Sequence, residues 1–134
     1  MAEEIQVRSK EKKYRGQNLD YLKGLDVRES SKFLSARSRR TILRNFDVIE
    51  KFVKNCERKI EKKKKIRTHL RDLVIVPKLV GMSIGVHNGR GFQDVPIIME
   101  MIGHRLGEFT LTRVKVKHSS AGIGATKSSR AKKK

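Results

Sequence analysis

Hydrophobic positions along this chain change their spacing twice, and each change marks a different kind of element. After Asn18, Leu19, Leu22 and Leu25 recur every third residue and predict a short helix. Asp26 and Glu29 have the spacing of a capping box, and a second short helix carrying Phe33 and Leu34 is expected behind them. Ser35 to Arg44 is compatible with a helix. The clearest helix follows, with Asp47 as its expected N-cap and Glu50 three residues on. Ile49, Phe52, Val53, Cys56 and Ile60 form its apolar stripe.

Beyond the lysine run 62–65 the spacing changes. Leu73 to Val76 is a β-branched run stopped by Pro77 and reads as a buried strand. From Met82 to His87, apolar residues occupy every second place. Asn88-Gly89 is a hairpin turn signal, so Arg90 to Ile97 is the expected returning strand. Pro96 suits an edge strand. A two-residue turn would pair His87 with Arg90 and leave Phe92 beside Arg90, away from the core. A bulge at Gly91 would turn Phe92 inward. The pattern allows both. Met99 to Gly103 reads as one helical turn with a glycine stop. Together these elements predict an α+β fold: a small, mainly antiparallel three-stranded sheet packed with N-terminal helices.

Composition limits the core. Of 134 residues only 37% are hydrophobic and 5% aromatic, which points to a small packed centre with polar extensions. Residues 1–15 are polar, mixed in sign and aperiodic, and are expected to be a flexible basic arm. Residues 16–112 make one domain. From Arg113 to Lys134 there are eight Lys or Arg and no carboxylate, so 113–134 is expected to be a basic tail that orders on a polyanion.

Charge identifies the partner. Thirty-three Lys and Arg against fourteen Asp and Glu leave +19, which a polyanion must neutralise. Nucleic acid leads, because each phosphate bound releases counterions. A membrane surface is disfavoured: Phe52 is the sole aromatic on the amphipathic stripe, which a core would use fully, and no apolar run is long enough to span a bilayer. The N-terminus lacks the apolar segment of a secretory signal, and a single cysteine suits a reducing compartment.

Catalytic motifs do not assemble. Gly85 and Gly89 are too close for a P-loop, and no Lys-Ser or Lys-Thr follows. Gly89-Arg-Gly91-Phe-Gln ends in Asp94 and leads into a strand, so it is no dinucleotide fingerprint. His69, His87, His104 and His118 show no helical ligand spacing, and Cys56 has no cysteine partner, so neither a metal nor a cofactor is expected. His69 and Asp72 are close enough in sequence to orient one another. Cys56 reads as a small core residue.

From Asn88 onward the sequence resembles the small-subunit ribosomal protein S-nineteen family. Asn88-Gly89-Arg90, Ile97, Ile102-Gly103, Leu106-Gly107-Glu108-Phe109 and Thr112 occupy every position of its signature. Thr68 to Gly81 resembles the segment ahead of that signature. Tyr14 to Gly16, Ser35 to Arg40 and Val116 to Arg130 are similar to the archaeal and eukaryotic branch. Asn45 to Lys65 matches no family motif. Ile98-Met99 replace the usual Lys-Pro, and the tail ends in Ala-Lys-Lys-Lys where many relatives end in an apolar residue. The resemblance implies a non-enzymatic role in the head of the small ribosomal subunit on a cytoplasmic ribosome. It implies binding to the 3′ major domain of the small-subunit rRNA and a neighbouring head protein, S-thirteen. It also implies a location near large-subunit bridge elements, with the tail reaching toward the decoding region and tRNA.

Charge logic then nominates RNA-binding residues. Arg37, Arg40 and Arg44 fall on one helical face; Arg39, Lys62, Lys63, Lys64, Lys65 and Arg67 add to the phosphate-neutralising set. Arg71, Lys78, Arg90, His104 and Arg105 would line the RNA face, with Asn88 and Gly89 making the turn that presents Arg90. Arg113, Lys115, Lys117, His118, Lys127, Arg130, Lys132, Lys133 and Lys134 would track RNA from the tail. Few aromatics argue against base-stacking platforms, so phosphate and shape contacts should dominate. The alternatives are a free-standing, sequence-tolerant nucleic-acid-binding protein and a nuclease using His87.

Overall fold

The computed structural model describes residues 13–115. It opens with a two-stranded hairpin, β1 (Lys13–Tyr14) and β2 (Gln17–Asn18). The hairpin takes in Lys13 to Arg15, the last three residues of the expected arm. The Tyr14 hydroxyl donates to the Ile102 carbonyl at 3.4 Å and ties the hairpin to the C-terminal half of the domain.

Four helices follow. Helix α1 (Leu19–Gly24) buries Leu22. Helix α2 (Val27–Ser30) runs into a 3-10 turn over Ser31–Phe33. Asp26 sits at the α2 N-cap position, but its side chain makes no capping bond. Helix α3 (Ala36–Arg44) buries Ile42, and α4 (Phe46–Glu61) buries Ile49, Val53 and Cys56. These three positions, spaced four and three apart, make the apolar stripe that packs α4 into the core. Ile60, at the end of the expected stripe, is exposed. The N-cap of α4 is Asn45, two residues before the expected Asp47. Asp47 instead lies in the first turn, where a carboxylate meets the positive end of the helix dipole.

The lysine run is a helix terminator. Lys63 adopts φ +51°, its N–H bonds the Ile60 carbonyl at 2.8 Å, and the Lys64 N–H bonds the Lys59 carbonyl at 2.8 Å. This is a Schellman closure built on a residue other than glycine. It reverses the chain directly into β3.

The main sheet has the order β3 (Ile66–Thr68), β4 (Ser83–His87), β5 (Phe92–Pro96). The β3–β4 pair is parallel and β4–β5 is antiparallel. The third strand is thus Ile66–Thr68, not Leu73–Val76. Those four residues are buried, but they run as extended chain outside the sheet and hydrogen-bond segment 103–106. The Ile75 N–H bonds the His104 carbonyl at 2.8 Å, the Gly103 N–H bonds the Ile75 carbonyl, and the Leu106 N–H bonds the Leu73 carbonyl. A single bridge, Val74 to Arg105, results. Burial on every side explains the unbroken apolar run without requiring a strand.

Register settles where Phe92 lies. His87 pairs with Phe92, Val86 with Gln93 and Ile84 with Val95. The loop is Asn88 to Gly91, two residues longer than an Asn-Gly turn alone. Ile84, Val86 and Val95 point to the core, while Phe92 stands with His87 on the outer face and is 38% exposed. Gly85, at the centre of β4, permits a close approach. A Cβ there would lie 2.9 Å from Asp94 Oδ1 and 3.1 Å from the Ile66 carbonyl oxygen. Short 3-10 turns at Met99–Met101 and Leu106–Phe109 complete the domain. The first begins at Met99, one of the two residues standing in for Lys-Pro.

Candidate nucleic-acid interface

Helix α3 supplies the cleanest cationic surface. Its geometry puts Arg37, Arg40 and Arg44 on one side because they are three and four residues apart. All three are exposed, and none has a carboxylate partner among the described residues. Arg39 points elsewhere and donates to the carbonyls of Lys32 and Leu34, both at 3.2 Å. The Ser38 hydroxyl donates to the Gly103 carbonyl at 2.8 Å, anchoring α3 to the C-terminal loop. Lys62, Lys63, Lys64 and Lys65 are exposed around the α4 closure, and Arg67 is exposed on the outer face of β3.

The β4–β5 loop is braced from within. Asn88 Oδ1 accepts the N–H groups of Arg90 at 3.0 Å and Gly91 at 2.8 Å. His87 Nδ1 accepts the Gly89 N–H at 3.1 Å, and Gly89 takes φ +96°, which suits a residue without Cβ. A local Asx arrangement replaces ladder bonds here. The Arg90 side chain is left exposed at the tip.

Other nominated residues have partners within the chain, Arg71 in a half-buried position and His104 and Arg105 at the surface. Arg71 is half-buried, and its guanidinium donates to the carbonyls of His87, Gly107 (2.9 Å) and Thr110 (2.6 Å). It therefore joins the β4 end to segment 107–110. The Arg105 N–H bonds Glu108 Oε1 at 3.1 Å, and Glu108 Oε2 lies 2.7 Å from His104 Nδ1. Arg105 also reaches Asp72 at 3.5 Å, so Asp72 pairs with arginine and not with His69. Desolvation opposes ionisation of Glu108. The Arg105 N–H, the His104 hydrogen bond and the nearby positive charges outweigh it, holding this carboxyl below its ordinary value of 4.5. Lys78 is half-buried in the 77–79 turn, whereas Arg113 and Lys115 are exposed at the end of the described chain. Lys117, His118, Lys127, Arg130, Lys132, Lys133 and Lys134 lie outside the described residues.

The signature segment is thus largely architecture. Asn88-Gly89 shapes the loop, Ile97, Ile102 and Leu106 fill the core, and Glu108 closes the turn onto Arg105.

Sequence reasoning missed one grouping. His69, His87 and Phe92 meet on the outer face of the sheet, with ring centroids 4.5 to 5.1 Å apart. Strand parity would have placed Phe92 beside His87 once the loop length was known. His69 arrives only through the unanticipated strand β3.

Catalytic chemistry finds little to work with among the described residues. No group of three or more His, Cys, Asp or Glu there could hold a metal ion. Burial pushes the Cys56 thiol up to about 11; nearby Lys59 opposes the shift and Glu57 adds to it. The residue is a core thiol, not a thiolate nucleophile. No helix among the described residues is long and apolar enough to cross a membrane.

A small α+β domain with exposed, carboxylate-free arginines belongs to the class of basic proteins built to sit against a polyanion. Sequence comparison narrows this class. The family described as Ribosomal protein S19 matches residues 25–118. The chain is also 47% identical, over 126 residues, to "Small ribosomal subunit protein uS19" of Halorubrum lacusprofundi, covering 90% of this chain and 89% of that protein. The chain belongs to the ribosomal protein S19 family and is a structural constituent of the small ribosomal subunit. That family is not one of enzymes, and its members have the ribosome and its RNA as partners.

Proposed function

We propose that residues 16–112 form one RNA-binding domain that docks on the 3′ major domain of the small-subunit rRNA, in the subunit head, through phosphate and shape contacts. The exposed Arg37, Arg40 and Arg44 stripe, with no competing carboxylate among the described residues, is the observation that carries this reading. Arg67, Arg90 and Lys62 to Lys65 are further exposed cations that this reading gives to RNA. Segments 1–12 and 113–134 flank the domain, which Lys13 to Arg15 join through the hairpin, and the basic C-terminal segment follows RNA toward the decoding region and tRNA. The neighbouring head protein S-thirteen and large-subunit bridge elements are its further contacts.

Reconstitution tests this reading. The full chain, mixed with small subunits lacking it, is expected to co-sediment with them at modest salt. Neutralising Arg37, Arg40 and Arg44 together with glutamine should reduce incorporation. Protein remaining in the light fractions while small subunits sediment alone would overturn the ribosomal docking. Residue-mapped crosslinks to RNA should fall on α3 and on Arg90.

A further inference from the structure

We propose that the outer face of the β3–β4–β5 sheet is a stacking site for an unpaired RNA base, a proposal that rests on the RNA-binding reading above. Register builds the site. Arg67 of β3 pairs with Gly85 of β4, which pairs with Asp94 of β5; two residues along β4, His87 pairs with Phe92. Arg67, His87 and Phe92 therefore share one face, and His69 joins them just past the end of β3.

The rings are in mutual contact. His69 and His87 have centroids 4.5 Å apart and tilted by 37°, and each meets Phe92 nearly edge-on, at 5.1 and 5.0 Å. The Arg67 guanidinium carbon stands 5.3 Å from the centre of the Phe92 ring. Mutual packing does not cover them: Phe92 is still 38% exposed, and His69 and Arg67 are exposed. One of the chain's five Phe stands here among two imidazoles.

The charge around the rings selects the occupant. Arg67 lies over the cluster and Arg90 stands at the adjoining loop tip, while Asp94 is the carboxylate facing Arg67 across Gly85. Gly85 has no side chain, and Asp94 Oδ1 and Arg67 Cγ close over it, 2.9 and 3.3 Å from where a Cβ would stand. A planar group that carries its own negative charge suits such a surface. An RNA nucleotide offers both: its base has a π-face for the rings, and its phosphates can pair with Arg67 and Arg90. Duplex RNA hides its bases, so the occupant is a base from a loop, bulge or single strand. Three rings scattered in sequence, two of them imidazoles, converge here.

The test uses the full chain and two RNA hairpins with identical stems and phosphates. One has an adenosine loop and the other has abasic residues in the loop. The wild-type protein should bind the adenosine loop at least about fivefold more tightly, the lower end of what one stacked base supplies. Phe92→Leu should abolish that preference while leaving affinity for the abasic hairpin unchanged, and Phe92→Trp should retain it. His69→Gln, outside the strands, should weaken the preference and gives a second variant if Phe92→Leu fails to fold. Equal wild-type affinity for both hairpins would overturn the stacking site but leave phosphate binding intact. No binding to either hairpin would remove the RNA-binding reading and this proposal with it.

Discussion

Two sets of arginines in this domain have the same charge and do opposite work. On α3, Arg37, Arg40 and Arg44 extend into solvent without partners among the described residues. At the seam between 71–74 and 103–110, Arg71 donates to three backbone carbonyls and Arg105 sits against Asp72. The first set costs the fold little to hold and is available to phosphate. In the second, Arg71 completes hydrogen bonding where two irregular segments meet, while the exposed Arg105 adds only a surface contact to Asp72 at 3.5 Å. Buried backbone groups outside helices and sheets must find partners, and here arginine is the partner. A count of cations therefore overstates the surface open to RNA.

The largest expected effect that sharpens this contrast is Arg71→Ala. Losing charge-assisted bonds to three carbonyls should destabilise the domain by about 2–4 kcal/mol in denaturant unfolding. Arg71→Lys should recover only part of that loss, because one ammonium cannot reproduce the planar fork. A near-neutral Arg71→Ala would break the comparison from the structural side.

Gly85→Val is next. Its side chain would strike Asp94 and the Ile66 carbonyl, at a cost of roughly 1–3 kcal/mol. The thermal midpoint checks it, and a midpoint equal to wild type would mean that the strands around β4 can spread without penalty.

A smaller effect concerns Glu108 and acid. Its folded carboxyl titrates below the ordinary 4.5, so its contribution is complete above 4.5 and fades as pH falls through the lowered folded value. Glu108→Gln should reduce stability at neutral pH, and the gap to wild type should narrow on acidification below 4.5. A gap that stays constant down the acid limb would remove the role given to this carboxylate.

Smallest in stability is Lys63→Gly, which relieves φ +51° and should change stability by no more than about 1 kcal/mol, in the favourable direction. A clear destabilisation would show that the Lys63 side chain does more than occupy the turn.

Much of the helical half was legible because α3 and α4 follow a 3.6-residue period, and Cys56 could be placed in the core from its stripe alone. The sheet was harder to read. Leu73 to Val76 has strand composition, but that composition reports burial, and burial between loops looks the same in sequence. Ile66–Thr68, following four lysines, looks like linker and becomes a strand only because β4 pairs with it. Asn88-Gly89 marked the hairpin, yet Asn88 Oδ1 stabilised a loop two residues longer, which kept Phe92 on the outer face but moved it from opposite Gly85 to opposite His87. The candidate interface was legible in the same uneven way. The α3 stripe followed from spacing, whereas the internal use of Arg71 depends on three carbonyls distant in sequence.

The most direct measurement is the salt dependence of RNA affinity for two variants of the full chain, with unfolding stability measured in parallel. Arg37→Gln, Arg40→Gln and Arg44→Gln combined should lower the slope of log affinity against log salt by about 2 to 3 while stability stays within about 0.5 kcal/mol. Arg71→Lys, compared where it is folded, should lower stability and leave the slope unchanged. An unchanged slope in the triple variant, or a slope that falls with Arg71→Lys, would contradict the division between arginines that meet RNA and arginines that hold the fold.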